Sequence, residues 1–345
     1  MAQMSPDGHK RYNVALVGAP GVVGQEFIRI LLERRFPMAS LKLLATARSA
    51  GKRMLVAEQE LVVEETTSKS FEGADLVFIS ASGAASREYC PMVAKMGAVA
   101  IDDSSAWRMD PGVPLVVPEV NADDVEWHKG ILAIPNCSTT PIVMVLWPLH
   151  RLNPVRRITA ATYQSVSGTG RLAVEELNTQ SKAILEGKGV VPHVYPHQIA
   201  FNLLPEIDVF RDDGYTKEEW KMMAETRKIM HDESIAISAT CVRVPVFISH
   251  SLAVHVEFSR PWSVDDVREI LSQAPGVGLQ DDPTVSLYPQ PWTAAGLDDV
   301  FVGRIRQDSS HPNGMVFWIV SDNLRKGAAT NAIQIAEELV ARKLI

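Results

Sequence analysis

The sequence predicts an α/β protein in which a doubly wound parallel sheet is joined to a second, α+β domain. Three features support this prediction. A strand, a glycine-rich turn and a helix follow one another near the start, and short buried apolar runs then alternate with helical segments. The length of 345 residues corresponds to about two domains. Hydrophobic residues make up 46% and charged residues 22%, which excludes a disordered or collagen-like chain.

Charge and hydropathy narrow the classes of function. The chain has 34 Lys and Arg against 41 Asp and Glu, a net charge of −7, so we expect no nucleic-acid partner. The apolar runs are too short or too interrupted to cross a bilayer, which needs about 20 apolar residues, and we expect no membrane segment. Residues 1–11 are polar, lack the apolar core of a signal sequence and predict a frayed tail. The three widely spaced cysteines favour neither a disulfide framework nor a CxxC metal site, which predicts a cytoplasmic protein.

The first motif is a glycine-rich turn between a strand and a helix. An apolar run over residues 13–17 is followed by GAPGVVG and by an amphipathic segment over residues 25–35. In a dinucleotide site, Gly18 permits the tight turn, Gly21 lets backbone N–H groups approach a pyrophosphate, and Gly24 lets the helix pack on the strand. The alternative is a tight turn that binds no ligand. The predicted cofactor contacts in this turn are Gly18, Pro20, Gly21, Val22, Val23 and Gly24.

The segment after the next strand, residues 41–45, indicates which dinucleotide is bound. A site for NAD usually has an acidic residue here, but residues 46–52 read TARSAGK and contain no carboxylate. Arg48, Ser49 and Lys52 instead suit a 2′-phosphate, so NADP is predicted over NAD. The alternative is a solvated basic loop.

A candidate nucleophile follows the last strand of this predicted sheet. Strands are predicted over residues 74–80, 98–102 and 131–134, with a helix over residues 87–96. Cys137 lies between the last of these strands and an apolar helix over residues 141–150. Such a position at a helix N-terminus lowers a thiol pKa and supplies N–H donors for an oxyanion. Cys90 and Cys241 lie in apolar stretches without such a turn, and we interpret them as structural.

Eight segments in order resemble one enzyme family over about residues 13–340. The chain is similar to aspartate-semialdehyde dehydrogenases in GAPGVVG (18–24), DDSSAWR (102–108), VVPEVN (116–121), PNCSTT (135–140), YQSVSGTG (163–170), EEWKM (218–222), CVRVPVFISHS (241–251) and DNLRKGAATNAIQIAEEL (322–339). One departure is Pro20, where the family usually has Thr in GATGxVG. Proline removes a hydroxyl and an N–H from the phosphate turn, but the glycines remain.

The resemblance implies a fold and a reaction. It implies a Rossmann-type NADP domain over residues 1–138 and 323–345, and a catalytic and dimerisation domain over residues 139–322 of the glyceraldehyde-3-phosphate-dehydrogenase-like kind. Enzymes of this family reduce L-aspartyl-4-phosphate to L-aspartate-4-semialdehyde with NADPH and release phosphate, in lysine, threonine, methionine and isoleucine biosynthesis. It also implies a homodimer, or a dimer of such dimers.

By the same resemblance, the site residues take separate roles. Cys137 is the nucleophile that forms a thioester, with Asn136 and nearby N–H groups as oxyanion partners. His250 is the acid/base residue, since an imidazole with a pKa near 6.5 can both activate the thiol and protonate the oxyanion. Substrate contacts are assigned to Gln164, Glu218 and Arg243, phosphate contacts to Arg108 and Lys221, and further cofactor contacts to Ser167, Gly168 and Asn323.

Some assignments have alternatives. Glu218 and Lys221 share a helix face and could form an ordinary exposed ion pair, and the adjacent Glu219 could take the role of Glu218. Arg243 could be an exposed strand residue. His193 and His197 are four apart, but Pro196 disfavours a helix between them, so we predict no metal.

Two other functions remain open from the sequence. A relative could act on N-acetyl-glutamyl phosphate or malonyl-CoA, although an acetylated amine would not need an anionic partner such as Glu218. A non-catalytic homologue is the other, but such a protein would be expected to lose the pair Cys137 and His250, which is present here.

Overall fold

The structure is a computed structural model that describes residues 3–4 and 10–345. The frayed tail expected over residues 1–11 therefore lies mostly outside the described residues. The strands are β1 Gln3–Met4, β2 Lys10–Val17, β3 Met38–Ala45, β4 Arg53–Val56, β5 Gln59–Val62, β6 Glu64–Glu65, β7 Leu76–Ile79, β8 Val99–Asp102, β9 Ile131–Ala133, β10 Val155–Gln164, β11 Ala236–Arg243, β12 His250–Phe258, β13 Val277–Leu279, β14 Val300–Gln307 and β15 Gly314–Ser321. The helices are α1 Val22–Glu33, α2 Gly83–Lys95, α3 Pro118–Asn121, α4 Thr139–His150, α5 Arg171–Leu185, α6 Lys217–Met230, α7 Val264–Ser272, α8 Pro291–Ala294 and α9 Thr330–Ala341.

The chain divides into two compact units. One contains Met1–Pro135 and Ala328–Ile345, and the other contains Asn136–Gly327. Residues 136–138 and 323–327, which the sequence analysis placed in the first domain, therefore belong to the second unit. The reason is their hydrogen bonding: Asn136 is bound to residues of α6, and Asn323 to the loop after β10 and to the residue before β12.

The first unit has the doubly wound parallel sheet that the sequence predicts. Its strand order is β6-β3-β2-β7-β8-β9, with every pair parallel, and β1 adds an antiparallel pairing to β2. All four residues of β7 are buried, as expected for a strand covered on both faces. The helix α9 at the end of the chain returns to this unit, where Ile333 and Leu339 share a core with Phe27 and Leu31 of α1.

The second unit is built on a six-stranded mixed sheet in the order β11-β10-β12-β15-β14-β13. The helices α4, α6 and α7 pack against it. The edge strand β11 runs from Ala236 to Arg243. Pro245 follows, and proline cannot donate to a strand ladder, so the pairing stops before it. Within the described part of the chain, no helix is long and apolar enough to cross a membrane.

Two glycine substitutions test why the turn between β2 and α1 requires glycine at position 18. Gly18 has φ +87°, and a Cβ built on it would lie 1.9 Å from the carbonyl oxygen of Ser80. Gly51 has a similar φ of +81°, but apart from its own two chain neighbours no described residue has an atom within 4 Å of its built Cβ. We expect Gly18→Ala to lower the free energy of unfolding by about 1–3 kcal/mol more than Gly51→Ala, because only the former adds overpacking to backbone strain. Urea unfolding of both variants measures the difference, and equal losses would contradict the clash.

Candidate active site

Cys137 lies at the start of α4, held by the residues on both sides of it. The carbonyl oxygen of Asn136 accepts hydrogen bonds from the N–H groups of Thr139 and Thr140, at 2.9 and 3.1 Å. The side-chain oxygen of Asn136 accepts from both the N–H and the hydroxyl of Ser138. The thiol is half-buried, and its Sγ lies 3.3 Å from Nε2 of His250. The thiol and the imidazole are therefore in direct contact across 113 residues of sequence.

Asn136 is also bound to two buried carboxylates of α6. Its N–H donates to Oε2 of Glu225 at 2.6 Å, and its Nδ2 donates to Oε1 of Glu218 at 2.9 Å. Hydrogen bonds to a carboxylate are about twice as strong as bonds between neutral groups. Asn136, the residue before Cys137, is thus fixed through both its backbone and its side chain. Its side-chain amide was expected to contact the oxyanion, and one N–H of that amide already donates to Glu218.

Glu218, not Glu219, lies with the predicted substrate residues. Glu218 accepts from Gln164 Nε2 at 3.1 Å and pairs with Lys221 Nζ at 3.3 Å. Glu219 instead closes a capping box with Thr216 and accepts from the N–H of Cys241. Glu218 is buried, so the exposed ion pair is the wrong interpretation. Burial opposes its ionisation, but Lys221 and the hydrogen bonds from Asn136 and Gln164 outweigh burial and lower the pKa of Glu218.

His250 and Arg243 are both buried beside the same loop. His250 begins β12, and its Nδ1 accepts from the N–H of Ser165 at 3.1 Å. Arg243, the last residue of β11, donates from Nη1 to the carbonyl oxygen of Ser165 at 2.6 Å. Burial and the Arg243 guanidinium lower the pKa of His250 from 6.5 to about 3. Because Arg243 is buried, the alternative interpretation of it as an exposed strand residue is wrong.

The cofactor residues predicted in the second unit lie in the same cluster as His250 and Arg243. The side-chain oxygen of Asn323 accepts from the hydroxyls of Ser165 and Ser167 and from the N–H of Ser249. A Cβ built on Gly168 would lie 3.3 Å from Arg243 Nη1 and 3.4 Å from His250 Nε2. The backbone at Gly168 therefore lies next to the thiol–imidazole pair, where a side chain would crowd both groups.

Two residues near Cys137 were missed by the sequence analysis. Glu225 is one of them, and Gly327 is the other. Gly327 lies in a π-helix, Arg325–Ala329, and its N–H donates to the carbonyl of Asp322, five residues earlier. A Cβ built on Gly327 would lie 2.9 Å from the Cβ of Cys137. A glycine inside a helical pattern is a signal of close packing, and it could have been noticed in RKGAAT.

The other predicted residues lie in the first unit. Gly21 donates its N–H to the carbonyl of Gly18, and a Cβ on Gly24 would lie 2.3 Å from that carbonyl oxygen. Val22 and Val23 form the first turn of α1, where backbone N–H groups have no intrahelical acceptor and favour an anion. Pro20 leaves this turn intact, and its carbonyl accepts from Gln25.

The remaining predicted residues of the first unit are Arg108 and those in the loop after β3. Arg48 and Lys52 are exposed, and Ser49 is half-buried. Arg108 is buried and donates from Nη2 to the carbonyl of Asp103 at 2.9 Å. Among residues 3–4 and 10–345, no group of three or more His, Cys, Asp or Glu is arranged to hold a metal ion.

Comparisons with known proteins identify the family. A model described as semialdehyde dehydrogenase, NAD binding domain, matches residues 13–128, and one described as semialdehyde dehydrogenase, dimerisation domain, matches residues 146–326. A relative from Aquifex aeolicus named aspartate-semialdehyde dehydrogenase is 52% identical over 338 residues, which are 97% of this chain and 99% of the relative. The chain belongs to the aspartate-semialdehyde dehydrogenase family. It is therefore an oxidoreductase of amino-acid biosynthesis.

Solved structures of aspartate-semialdehyde dehydrogenases agree with this assignment. The structure of aspartate semialdehyde dehydrogenase II from Vibrio cholerae complexed with ASA is 42% identical, with a TM-score of 0.94, and covers 96% of this chain and 99% of that chain. The structure of the enzyme with NADP from Candida albicans is 27% identical, with a TM-score of 0.77, and covers 97% and 100% of the two chains.

Gly327 provides a test of how Cys137 is packed. We expect Gly327→Ala to push Cys137 away from His250 and to lower kcat by about 10- to 100-fold, because small displacements of reacting groups are costly. Gly189→Ala is the matched control, since apart from its own two chain neighbours no described residue has an atom within 4 Å of a Cβ at Gly189. Steady-state assays and the rate of Cys137 alkylation measure the effect. Unchanged alkylation in Gly327→Ala would show that the site tolerates the methyl group.

The lowered pKa of His250 predicts a pH dependence of stability. Below pH 6.5 the unfolded chain binds a proton at this residue, whereas the native state stays neutral until about pH 3. Acidification from pH 6.5 to 5 therefore destabilises the native state by about 2 kcal/mol through this group, at about 1.4 kcal/mol per pH unit. We expect His250→Gln to lose that much less stability than the wild type over this interval, as measured by urea unfolding. Parallel losses in the two proteins would contradict a buried neutral imidazole.

Proposed function

We propose that the chain catalyses the NADPH-dependent reduction of L-aspartyl-4-phosphate to L-aspartate-4-semialdehyde, with release of phosphate, through a thioester on Cys137. The observation that carries this proposal is the 3.3 Å contact between Cys137 Sγ and His250 Nε2 next to a buried cluster of Glu218, Gln164 and Arg243. A nucleophile, an imidazole and fixed charges for an amino acid are thus assembled in one unit.

The charges of the cluster suit a free amino acid. Arg243 presents a planar guanidinium suited to an α-carboxylate, and the ionised Glu218 suits an α-ammonium group. Gln164 and Asn136 orient Glu218 by donating to the same carboxylate oxygen. An amino acid whose amine is acetylated would leave the buried charge of Glu218 without its partner, which disfavours N-acetyl-glutamyl phosphate.

Phosphate binding is assigned to Lys221 and Arg108. Lys221 is paired with Asp208 at 2.7 Å and with Glu218 at 3.3 Å, so a phosphate would compete with Asp208 for the ammonium group. Arg108 is a second cation, and two cations for one dianionic leaving group stabilise the charge that develops on it. Malonyl-CoA has no free phosphate to leave, so it would not use this pair.

The residues that fit the cofactor lie in the glycine-rich turn and in the loop after β3. A Cβ at Gly18 or Gly24 would collide with backbone, a Cβ at Gly21 would lie 3.1 Å from the carbonyl oxygen of Gly18, and the N–H groups of the first turn of α1 have no acceptor within the helix. Arg48 and Ser49 favour NADP over NAD, and the Candida albicans relative was solved with NADP. When bound, the nicotinamide supplies the hydride that reduces the acyl group on Cys137. Ser167, Gly168 and Asn323 are proposed to contact it.

The assembly is proposed to be a homodimer that uses the open face of the six-stranded sheet. One face of β10 is buried, while Tyr163 on the opposite face is 38% exposed and packs its ring 5.5 Å from that of Trp318. A match to a dimerisation domain over residues 146–326 supports dimerisation through this unit. The product feeds lysine, including diaminopimelate, and threonine, methionine and isoleucine synthesis, and three free thiols suit a cytoplasmic setting.

A single assay tests the proposal. Aspartate-4-semialdehyde should reduce NADP in a phosphate-dependent reaction in the wild type, more slowly with NAD, and this activity should be lost in Cys137→Ala. Cys90→Ala is the matched control, because Cys90 is buried in the first unit and burial raises its pKa to about 12. We expect Cys90→Ala to retain activity. Wild-type inactivity with both cofactors would exclude the substrate, and an active Cys137→Ala would exclude the thioester.

A further inference from the structure

Two carboxylates share the ammonium group of Lys221 on α6. Nζ of Lys221 lies 2.7 Å from Oδ2 of Asp208 and 3.3 Å from Oε2 of Glu218, and its side chain is only 12% exposed. Glu218 reaches the ammonium group from the same helix, three residues earlier, and is buried. Asp208 reaches it from the loop before α6 and is 30% exposed. The shorter contact is therefore made by the carboxylate that solvent can reach more easily.

The loop that carries Asp208 is anchored on both sides. Four residues earlier, Leu204 exchanges two backbone hydrogen bonds with Arg243, at 3.0 and 2.8 Å. On the other side, the carbonyl of Val209 accepts from the N–H of Lys217, the first residue of α6, at 2.8 Å. The second oxygen of Asp208, Oδ1, accepts from the N–H of Val209 at 2.9 Å, which fixes the direction of the carboxylate. An incidental surface ion pair has no such support.

The backbone at Asp208 does not by itself require a charged side chain. Asp208 has φ +67°, a left-handed conformation that Asn tolerates as well as Asp does. Burial opposes ionisation of Asp208, but the hydrogen bond from Lys221, the N–H of Val209 and the charge of Lys217 outweigh burial and lower the pKa of Asp208. Asp208 is therefore an anion at neutral pH, and its charge faces two lysines.

This position makes Asp208 a competitor of any anion that binds Lys221. A phosphate oxygen at about 2.7–2.9 Å from Nζ would lie close to Oδ2 of Asp208, which is bound to the same nitrogen. The two anions repel each other if the carboxylate stays, and the contact with Lys221 is lost if the carboxylate leaves. Glu218 holds Lys221 from its own helix, so the ammonium group has a support that does not depend on Asp208. The net effect of Asp208 is to weaken phosphate binding.

We infer that Asp208 is a positioning residue that acts through Lys221 as an internal counter-ion in competition with inorganic phosphate, and that it promotes phosphate release. This inference rests on the proposed function and deepens it. When the semialdehyde is formed, phosphate is a product and has to leave the ammonium group. Re-formation of the contact between Asp208 and Lys221 offsets the contact that the departing phosphate loses.

Titration calorimetry of the full chain with inorganic phosphate, without substrate or cofactor, tests the competition. Asp208→Asn keeps the shape of the side chain and removes its charge. We expect this variant to lower the Kd for phosphate by about 3- to 10-fold, because the ion pair that phosphate must disrupt is mostly buried. Asp213→Asn is the matched control, since Asp213 is exposed in the same loop and pairs with Arg211, and we expect its Kd to equal that of the wild type. A Kd that is unchanged or raised in Asp208→Asn would overturn the inference.

A double-mutant cycle shows whether Asp208 acts through Lys221. Lys221→Gln should weaken phosphate binding, and adding Asp208→Asn to it should change the Kd by less than about twofold, because the contact between the two residues is already absent. The same gain in affinity in both backgrounds would mean that Asp208 acts through the general field of the protein, and the inference would be wrong. No loss of phosphate affinity in Lys221→Gln would also contradict it.

Steady-state kinetics separate competition from a merely structural role. In the phosphate-dependent oxidation of aspartate-4-semialdehyde, we expect Asp208→Asn to lower KM for phosphate by the same factor as Kd and to leave KM for the semialdehyde within about twofold. A structural role would raise both KM values, and that result would contradict the competition.

Failure of this inference is distinguishable from failure of the proposed function. The calorimetric result concerns the free protein and does not require turnover. A protein that is inactive with the semialdehyde but gains phosphate affinity in Asp208→Asn would contradict the proposed function and support the competition. An active protein without this gain would support the proposed function and contradict the competition.

Discussion

The candidate site depends on one helix that holds the residue before the nucleophile. Glu218 and Glu225 lie seven residues apart on α6, on the same face, and both accept from Asn136. Glu219 joins this helix to β11 through the N–H of Cys241, two residues before Arg243. Cys137, Arg243 and Glu218, which we propose as the nucleophile and two substrate contacts, therefore share one support. If α6 moved, all three would move with it.

This support places three carboxylates in the interior, which is costly unless each is hydrogen-bonded. Each has donors: Glu225 accepts from a backbone N–H, Glu219 from two, and Glu218 from two amides and an ammonium group. The capping box at Thr216 fixes the start of the helix, so Glu218 in its first turn has a defined direction. The lowered pKa of Glu218 favours its ionised carboxylate, and the lowered pKa of His250 favours its neutral ring.

Local sequence patterns predicted the sheet of the first unit and the position of Cys137. The apolar runs and the glycine-rich turn are signals within a few residues, and the strand–turn–helix context singled out one of three cysteines. The roles of Glu218, Arg243 and His250 came from the resemblance, because their contacts join positions 54 to 113 residues apart. Glu225 was missed for the same reason, because nothing near it in the sequence shows that it meets the Cys137 segment. The glycine of RKGAAT signals close packing, but the sequence does not show that its neighbour is Cys137.

The central claim is that Cys137, held by Asn136 and paired with His250, carries the acyl group. The most direct measurement is mass spectrometry of the protein after reaction with aspartate-4-semialdehyde and NADP in the absence of phosphate, quenched in acid. The account predicts an acyl adduct on the peptide that contains Cys137 and its loss when phosphate is added. Turnover with an unmodified Cys137, or an adduct on Cys90 or Cys241 instead, would contradict the account.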